Sequence, residues 1–144
     1  MKRDWAMRLA AATNGLYAAP RLAGPARLAA RSLGWRWHDL DLADVHDKDS
    51  LLARCAGRLA LPAYFGRNWD ALAECVRDPA WMVAPGAAIW WHGGAALAHA
   101  AAQEVTTALE ILADAAREWR GEARAFIVLV EPVSAAGTAL ASLD

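Results

Sequence analysis

Two carboxylates spaced one helical turn apart are the most chemically suggestive residues of this chain. Asp70 and Glu74 are four positions apart, which places them on the same side of a helix at about 100° per residue. Like charges at this spacing repel each other, so the pair does not stabilise an isolated helix. Two uses fit it better: binding the cationic side chains of a partner, or acting as an acid and a base in an enzyme.

The surrounding segment predicts how these acids are held. Pro62 and Gly66 indicate a tight loop, and Asn68 occupies the position of a helix N-cap. From Trp69 onward the apolar residues recur at helical spacing, so we expect a short helix with one buried and one exposed side. The predicted buried side consists of Trp69, Leu72, Ala73 and Val76, and the exposed side consists of Asp70, Glu74, Arg77 and Asp78.

An enzymatic role for the acids is disfavoured by this arrangement. An acid–base pair needs a concave pocket whose surroundings make the two carboxyl groups differ. A solvent-facing helix side provides no such pocket, so we predict that the protein is not an enzyme. His38, His92 and His99 do not cluster with a nucleophile, which leaves histidine-assisted catalysis unsupported.

A second polar cluster contains Asp44, His46, Asp47 and Asp49. Oxygen and imidazole ligands at this spacing could hold a cation. The other interpretation is that Asp47 or Asp49 caps the helix that follows. We favour the cap and predict neither a metal nor a cofactor.

The two cysteines, Cys55 and Cys75, fall on separate predicted helices. A single pair without a disulfide framework is typical of a reducing compartment, so we expect free thiols. Asp4 and Arg8 interrupt the apolar residues at the start of the chain, and no run approaches the about 18 apolar residues of a membrane span. We therefore expect a cytoplasmic protein without a membrane partner.

The pattern of elements predicts an α/β fold. Strand-like segments alternate with helical ones, and parallel neighbouring strands need such crossover connections. We expect a small parallel sheet of three strands, or four if the segment 16–19 joins it. The predicted strands are 35–42, 87–91 and 125–130, and the predicted helices include 25–33, 49–59 and 95–120, the last with a weak point at Thr106 and Thr107.

Trp90, Trp91 and His92 are the one aromatic group that could stack on nucleic-acid bases. Such a platform needs nearby Lys and Arg residues, which this segment lacks. We therefore predict a buried strand here and no direct nucleic-acid partner.

Charge is distributed unevenly along the 144 residues, a length that fits a single domain. Residues 1–34 contain six basic residues and one acidic residue, a formal charge of +5, whereas residues 35–144 contain nine basic and fifteen acidic residues, a charge of −6. The near-neutral total of −1 hides this separation. The acidic part of the chain is suited to a basic partner.

The segment 61–75 reads LPAYFGRNWDALAEC. This run resembles the barstar family, the intracellular inhibitors of small secreted ribonucleases, and the order of elements from Trp35 to Val130 agrees with that family more loosely. The resemblance implies a barstar-like fold, a small parallel sheet with helices packed around it. Within a single domain 1–144 we expect an N-terminal extension 1–34 (helix, short strand, helix), a barstar-like core 35–131, and a poorly ordered tail 132–144.

The resemblance also implies a function. The chain would be an inhibitor or immunity protein that occludes the active site of a small basic, barnase-like ribonuclease or RNase toxin, and it would be a monomer when free. The family's inhibitory acids match Asp70 and Glu74, and a further acid of the last helix matches Glu118, with Asp114 as the alternative. The implied partner-binding residues are Tyr64, Asn68, Trp69, Asp70, Glu74, Arg77 and Glu118.

Several of these residues also fit simpler roles. Asn68 fits a cap that only stabilises the helix, and Trp69, on the apolar side, fits a core residue. Glu74 is one methylene longer than the family's acid, and Arg77 either pairs with Glu74 or opposes a basic partner. These departures keep an alternative open: a barstar-fold interaction module whose partner is not a nuclease.

Overall fold

Four parallel strands alternate with helices in the structure, a computed structural model that describes residues 4–143. Lys2 and Arg3 of the predicted basic extension, and Asp144 of the predicted tail, lie outside the described residues. The elements are α1 (Trp5–Ala11), β1 (Gly15–Ala18), α2 (Gly24–Ser32), β2 (Arg36–Asp41), α3 (Lys48–Arg58), α4 (Trp69–Val76), β3 (Gly86–His92), α5 (Ala95–Ala100), α6 (Ala102–Arg120), β4 (Ala125–Val130) and a 3-10 turn (Pro132–Ser134).

The strands form one sheet in the order β1-β4-β3-β2, and every neighbouring pair is parallel. Ile89 of β3 lies opposite Val128 of β4, and Leu16 of β1 lies opposite Val128 on the other side. The predicted α/β fold is confirmed, and the fourth strand from the N-terminal segment joins the sheet. The two central strands are apolar nearly throughout because helices cover both of their faces.

The two faces of the sheet have separate hydrophobic cores. Helices α3 to α6 cover the larger core, which includes Leu72, Trp91 and Val128. Helices α1 and α2 cover the smaller one, which includes Ala88 and Ile127. The acid-bearing helix α4 and the N-terminal helices therefore lie on opposite faces of the sheet. None of the described helices is long and apolar enough to cross a bilayer.

The interruption of the long C-terminal helical region differs from the prediction. The break lies at Ala101, whose φ of −137° and ψ of 53° leave the helical region. Thr106 and Thr107 stay helical, and their hydroxyl groups donate hydrogen bonds of 3.0 Å to the carbonyl oxygens of Ala102 and Gln103 one turn earlier. Such bonds accommodate threonine within a helix.

The tail is packed, contrary to the expectation of poor order. The Ser134 carbonyl accepts a 2.9 Å hydrogen bond from the indole of Trp91, and its hydroxyl accepts one of 2.8 Å from the Gly94 amide. Farther along, the Ala18 amide donates to the Ala141 carbonyl at 2.9 Å, so the tail pairs with the free edge of β1. These partners lie far away in the sequence, which is why composition did not predict the packing.

The N-terminal segment shares buried polar contacts with the rest of the chain. The side-chain nitrogen Nδ2 of Asn14 donates hydrogen bonds to the backbone carbonyl oxygens of Arg124 at 2.8 Å and Ala116 at 3.2 Å. Its side-chain oxygen Oδ1 accepts a hydrogen bond from the Phe126 backbone amide at 2.9 Å. Asn14 is 7% exposed. A buried side chain that satisfies three backbone groups joins β1 firmly to β4 and α6.

Candidate functional site

The loop before α4 is anchored at both ends. Its turn is closed by a 2.9 Å hydrogen bond from the Phe65 amide to the Pro62 carbonyl, and Phe65 packs against the larger core. The side-chain oxygen of Asn68 accepts a 2.8 Å hydrogen bond from the Ala71 amide, which confirms the predicted N-cap. The cap satisfies a backbone donor that the first turn would otherwise leave free.

Helix α4 has one buried and one exposed side, as predicted, but Arg77 is its C-cap, and Asp78 lies beyond its end and is half-buried. Leu72 and Val76 are fully buried, whereas Asp70 and Glu74 are exposed. The indole of Trp119 on α6 donates a 2.9 Å hydrogen bond to the Val76 carbonyl, which ties the end of α4 to its neighbour. The two acids therefore project from a short helix that is fixed by a cap, by its apolar side and by a buried hydrogen bond.

The two predicted aromatic contacts differ in accessibility. Tyr64 lies on the loop and is 78% exposed, so its ring is available to a partner. Trp69 is half-buried and packs against the larger core, and the ammonium group of Lys48 lies 5.8 Å from its ring centre. Trp69 thus fits the core role and leaves only part of its surface for contact.

Arg77 pairs with Glu118 rather than with Glu74. Its Nη1 lies 2.9 Å from the Glu118 carboxylate, and its Nε donates a 2.9 Å hydrogen bond to the Ala73 carbonyl. The pair forms because α4 packs beside α6, a proximity that the spacing along one helix cannot reveal. Glu118 therefore lies next to α4, as the resemblance implies, but with its charge balanced. Both side chains are about half exposed, at 42% and 56%, so the pair contributes little to stability.

Asp114, the alternative to Glu118, is engaged within its own helix. It forms a salt bridge with Arg117 three residues later on α6. Of the two candidates, Glu118 is the one that contacts Arg77, the C-cap residue of α4.

The surroundings of the acid pair do not resemble a catalytic centre. Asp70 and Glu74 are both exposed on the helix surface. A carboxyl pair of this kind lacks the desolvated environment that acid–base catalysis needs.

The polar cluster that follows β2 serves as a cap. The carboxylate of Asp47 accepts hydrogen bonds from the Ser50 amide at 2.8 Å and from the Ser50 hydroxyl at 2.6 Å, forming a capping box at the start of α3. These bonds favour the ionised carboxylate and lower its pKa. Within residues 4–143, no group of three or more His, Cys, Asp or Glu side chains could hold a metal ion.

Both cysteines are buried free thiols. Burial raises the pKa of Cys55 to about 12. Burial, followed by the charges of Asp78 and Glu74, also raises the pKa of Cys75. Thiols that are hard to ionise are poor nucleophiles, so a structural role fits both.

The aromatic segment near position 90 is a strand, as predicted. Trp91 is fully buried, and Trp90 is half-buried and stacks on His92 with ring centres 3.4 Å apart. His92 lies 2.5 Å from the carboxylate of Asp39 on the neighbouring strand. The stack with His92 covers one face of the Trp90 ring.

Comparison with known families agrees with the fold. The family model described as Barstar (barnase inhibitor) matches residues 35–131, which is more than half of the chain and includes the loop, α4 and Glu118. A search of curated proteins found no significant match. The chain belongs to the barstar family of barnase inhibitors.

Proposed function

We propose that this protein inhibits a small basic ribonuclease, or an RNase toxin domain, by covering its RNA-binding site with α4. The observation that carries the proposal is the exposed pair Asp70 and Glu74, one turn apart on a capped helix within the family-matched segment. The inhibitor itself catalyses no reaction.

The chemistry of the acids suits such a target. A ribonuclease holds RNA phosphate with Arg, Lys and His side chains, and these can instead donate charge-assisted hydrogen bonds to Asp70 and Glu74. Because the cap holds α4 in place, little ordering is needed when the partner binds. The exposed ring of Tyr64 adds an amphipathic contact beside the acids.

The charge of the molecule supports the same partner. Residues 35–144 have a formal charge of −6 and include α4. An acidic surface attracts a basic protein over a distance and speeds encounter, an effect that salt screens.

A capture experiment tests the proposal. The wild type and an Asp70→Ala/Glu74→Ala variant are immobilised and exposed to cell extract and secreted proteins of the source organism, and captured proteins are assayed for RNA hydrolysis. We expect the wild type to retain a ribonuclease that the variant does not. Asp49→Ala/Glu110→Ala is the matched control, since it removes two exposed carboxylates from α3 and α6 and should capture like the wild type.

A second candidate function is an interaction module with a partner other than a nuclease. The Arg77–Glu118 pair favours it, because it places a cation on the acidic surface and neutralises one of the implied acids. In that case the same partner would bind both the wild type and the Asp70→Ala/Glu74→Ala variant, and it would not cut RNA.

A further inference from the structure

The N-terminal part of the chain concentrates positive charge. No acidic residue occurs between Trp5 and His38. Over the same stretch there are five arginines, although the whole chain has a net charge of −1. The arginines are Arg8, Arg21, Arg27, Arg31 and Arg36.

Helix α2 exposes two of these arginines to solvent. One side of the helix consists of buried alanines that pack on the smaller core. On the opposite side, Arg27 and Arg31 are exposed one turn apart, and Leu28 lies between them. At about 100° per residue these three positions span roughly a quarter of the helix circumference and point away from the sheet. The buried alanines are Ala26, Ala29 and Ala30.

Two leucines accompany the arginines. Leu28 is 71% exposed, and Leu22, two residues before the start of α2 and next to Arg21, is 78% exposed. The salt bridges formed among residues 4–143 involve none of the arginines at positions 21, 27 and 31. We call the surface formed by Arg21, Leu22, Arg27, Leu28 and Arg31 the α2 surface.

The composition of the α2 surface favours one class of anionic partner over another. Nucleic acid offers phosphates to the arginines but presents little apolar surface to exposed leucines. An anionic bilayer offers both, because its head groups attract arginine and the boundary of its acyl chains accepts leucine. Charge and apolar exposure together therefore favour a lipid surface.

The position of the α2 surface leaves the acidic site free. Helix α2 packs on the smaller core and α4 on the larger one, so the two surfaces lie on opposite faces of the sheet. The α2 surface also lies outside the family-matched residues 35–131. Contact there would not compete with a partner bound at Asp70 and Glu74.

We propose that the α2 surface binds, peripherally, to membranes that contain anionic phospholipids. The near-neutral net charge of the whole chain conceals this concentration of arginines. Helix α2 presents Arg27, Leu28 and Arg31 on one exposed side, and the exposed residues Arg21 and Leu22 precede it closely in the chain. The proposal does not depend on the ribonuclease-inhibitor function.

Co-sedimentation of the full chain with lipid vesicles tests the proposal. One set of vesicles contains equal parts phosphatidylglycerol and phosphatidylcholine, and the other contains phosphatidylcholine alone. We expect binding to the first set at low salt and at least about tenfold weaker partitioning into the second. Raising the salt concentration should release the protein.

Two variants locate the contact. Arg27→Glu/Arg31→Glu should weaken partitioning by about tenfold or more, because each basic residue near an anionic membrane surface contributes to the free energy of binding. Arg67→Glu/Arg117→Glu changes the net charge equally at two exposed sites outside the α2 surface. The vesicle partitioning of this variant should stay within about twofold of that of the wild type. Leu22→Ser/Leu28→Ser should also weaken partitioning, because the two leucine side chains no longer insert at the boundary of the acyl chains. Urea unfolding checks that all variants are folded.

Three results would overturn the proposal. The first is equal binding to both kinds of vesicle, and the second is an equal loss in the two arginine variants. The third is a failure to bind the phosphatidylglycerol vesicles at low salt. If the protein instead binds a single-stranded RNA oligonucleotide and Arg27→Glu/Arg31→Glu abolishes that binding, the α2 surface is assigned to nucleic acid.

Discussion

Arg77 is the residue that most alters the acidic surface. Its guanidinium group lies 2.9 Å from the Glu118 carboxylate and adds a positive charge at the end of the helix that carries Asp70 and Glu74. Replacing Arg77 by Ala should raise the association rate constant with a basic ribonuclease severalfold, because the surface becomes more acidic and Glu118 is released. The free energy of unfolding should change by less than about 1 kcal/mol, since the pair is half exposed.

Stopped-flow mixing with the captured ribonuclease, at low and high salt, measures this effect. Arg117→Ala is the control, because it removes an equal charge and releases Asp114 within α6. Slower association of Arg77→Ala would mean that Arg77 itself makes a favourable contact with an acidic group of the partner.

His38 is expected to make stability depend on pH. The ring is buried and stacks on Trp81 with centres 5.3 Å apart, and its Nδ1 lies 3.2 Å from the Arg58 carbonyl. Burial, aided by the charge of Arg36, lowers the pKa of His38 in spite of the hydrogen bond to Arg58. The folded state therefore binds a proton less readily than the unfolded chain, whose histidine titrates near about 6.5.

The sign of the effect follows from this difference. The stability contributed by neutral His38 is complete above about pH 6.5 and is lost as the pH falls toward the lowered pKa of the folded state. Urea unfolding of the wild type and His38→Gln is measured between about pH 5 and 8. As the pH falls, the free energy of unfolding should decrease less in the variant than in the wild type. Parallel curves for the two proteins would contradict this assignment.

At the level of elements, α4 depends on its cap. Asn68→Ala removes the acceptor of the Ala71 amide and should lower the free energy of unfolding by about 1 kcal/mol. Because Asp70 lies in the first turn, the same change should weaken binding of a basic partner. Urea unfolding and affinity measurements check both effects. Asn68→Ser keeps a capping oxygen and should lie close to the wild type; equal loss in the two variants would contradict a capping role.

Elements with a strong local pattern were predictable from the sequence. Helix α4 begins where the Asn68 cap indicates, although it ends at Val76, before Arg77 and Asp78, and β3 and β4 follow apolar runs bounded by Pro and Gly. The tail, the helix break at Ala101 and the Arg77–Glu118 pair were not predicted correctly. The tail and the ion pair depend on contacts between distant parts of the chain, such as Trp91 with Ser134, that no local pattern encodes.

At the scale of the molecule, residues 4–34 pack as part of the folded unit. They cover the face of the sheet that includes Ala88, Ile127 and Leu129, and Asn14 satisfies three buried backbone groups. Deleting them should expose this apolar face, and we expect aggregation or loss of a cooperative thermal transition. Calorimetry and size-exclusion chromatography measure both. The full chain with Arg27→Glu/Arg31→Glu should unfold like the wild type, and a deletion variant with an unchanged melting temperature would contradict this expectation.

The most direct test of inhibition is a titration of RNA cleavage. The captured ribonuclease is held at a concentration well above the expected dissociation constant, and cleavage of a fluorogenic RNA is followed as the protein is added. If α4 occludes the active site, cleavage falls linearly to zero at one inhibitor per nuclease, whereas Asp70→Ala/Glu74→Ala leaves cleavage largely intact at that ratio. Full cleavage in the presence of a saturating, bound wild-type protein would contradict occlusion of the active site.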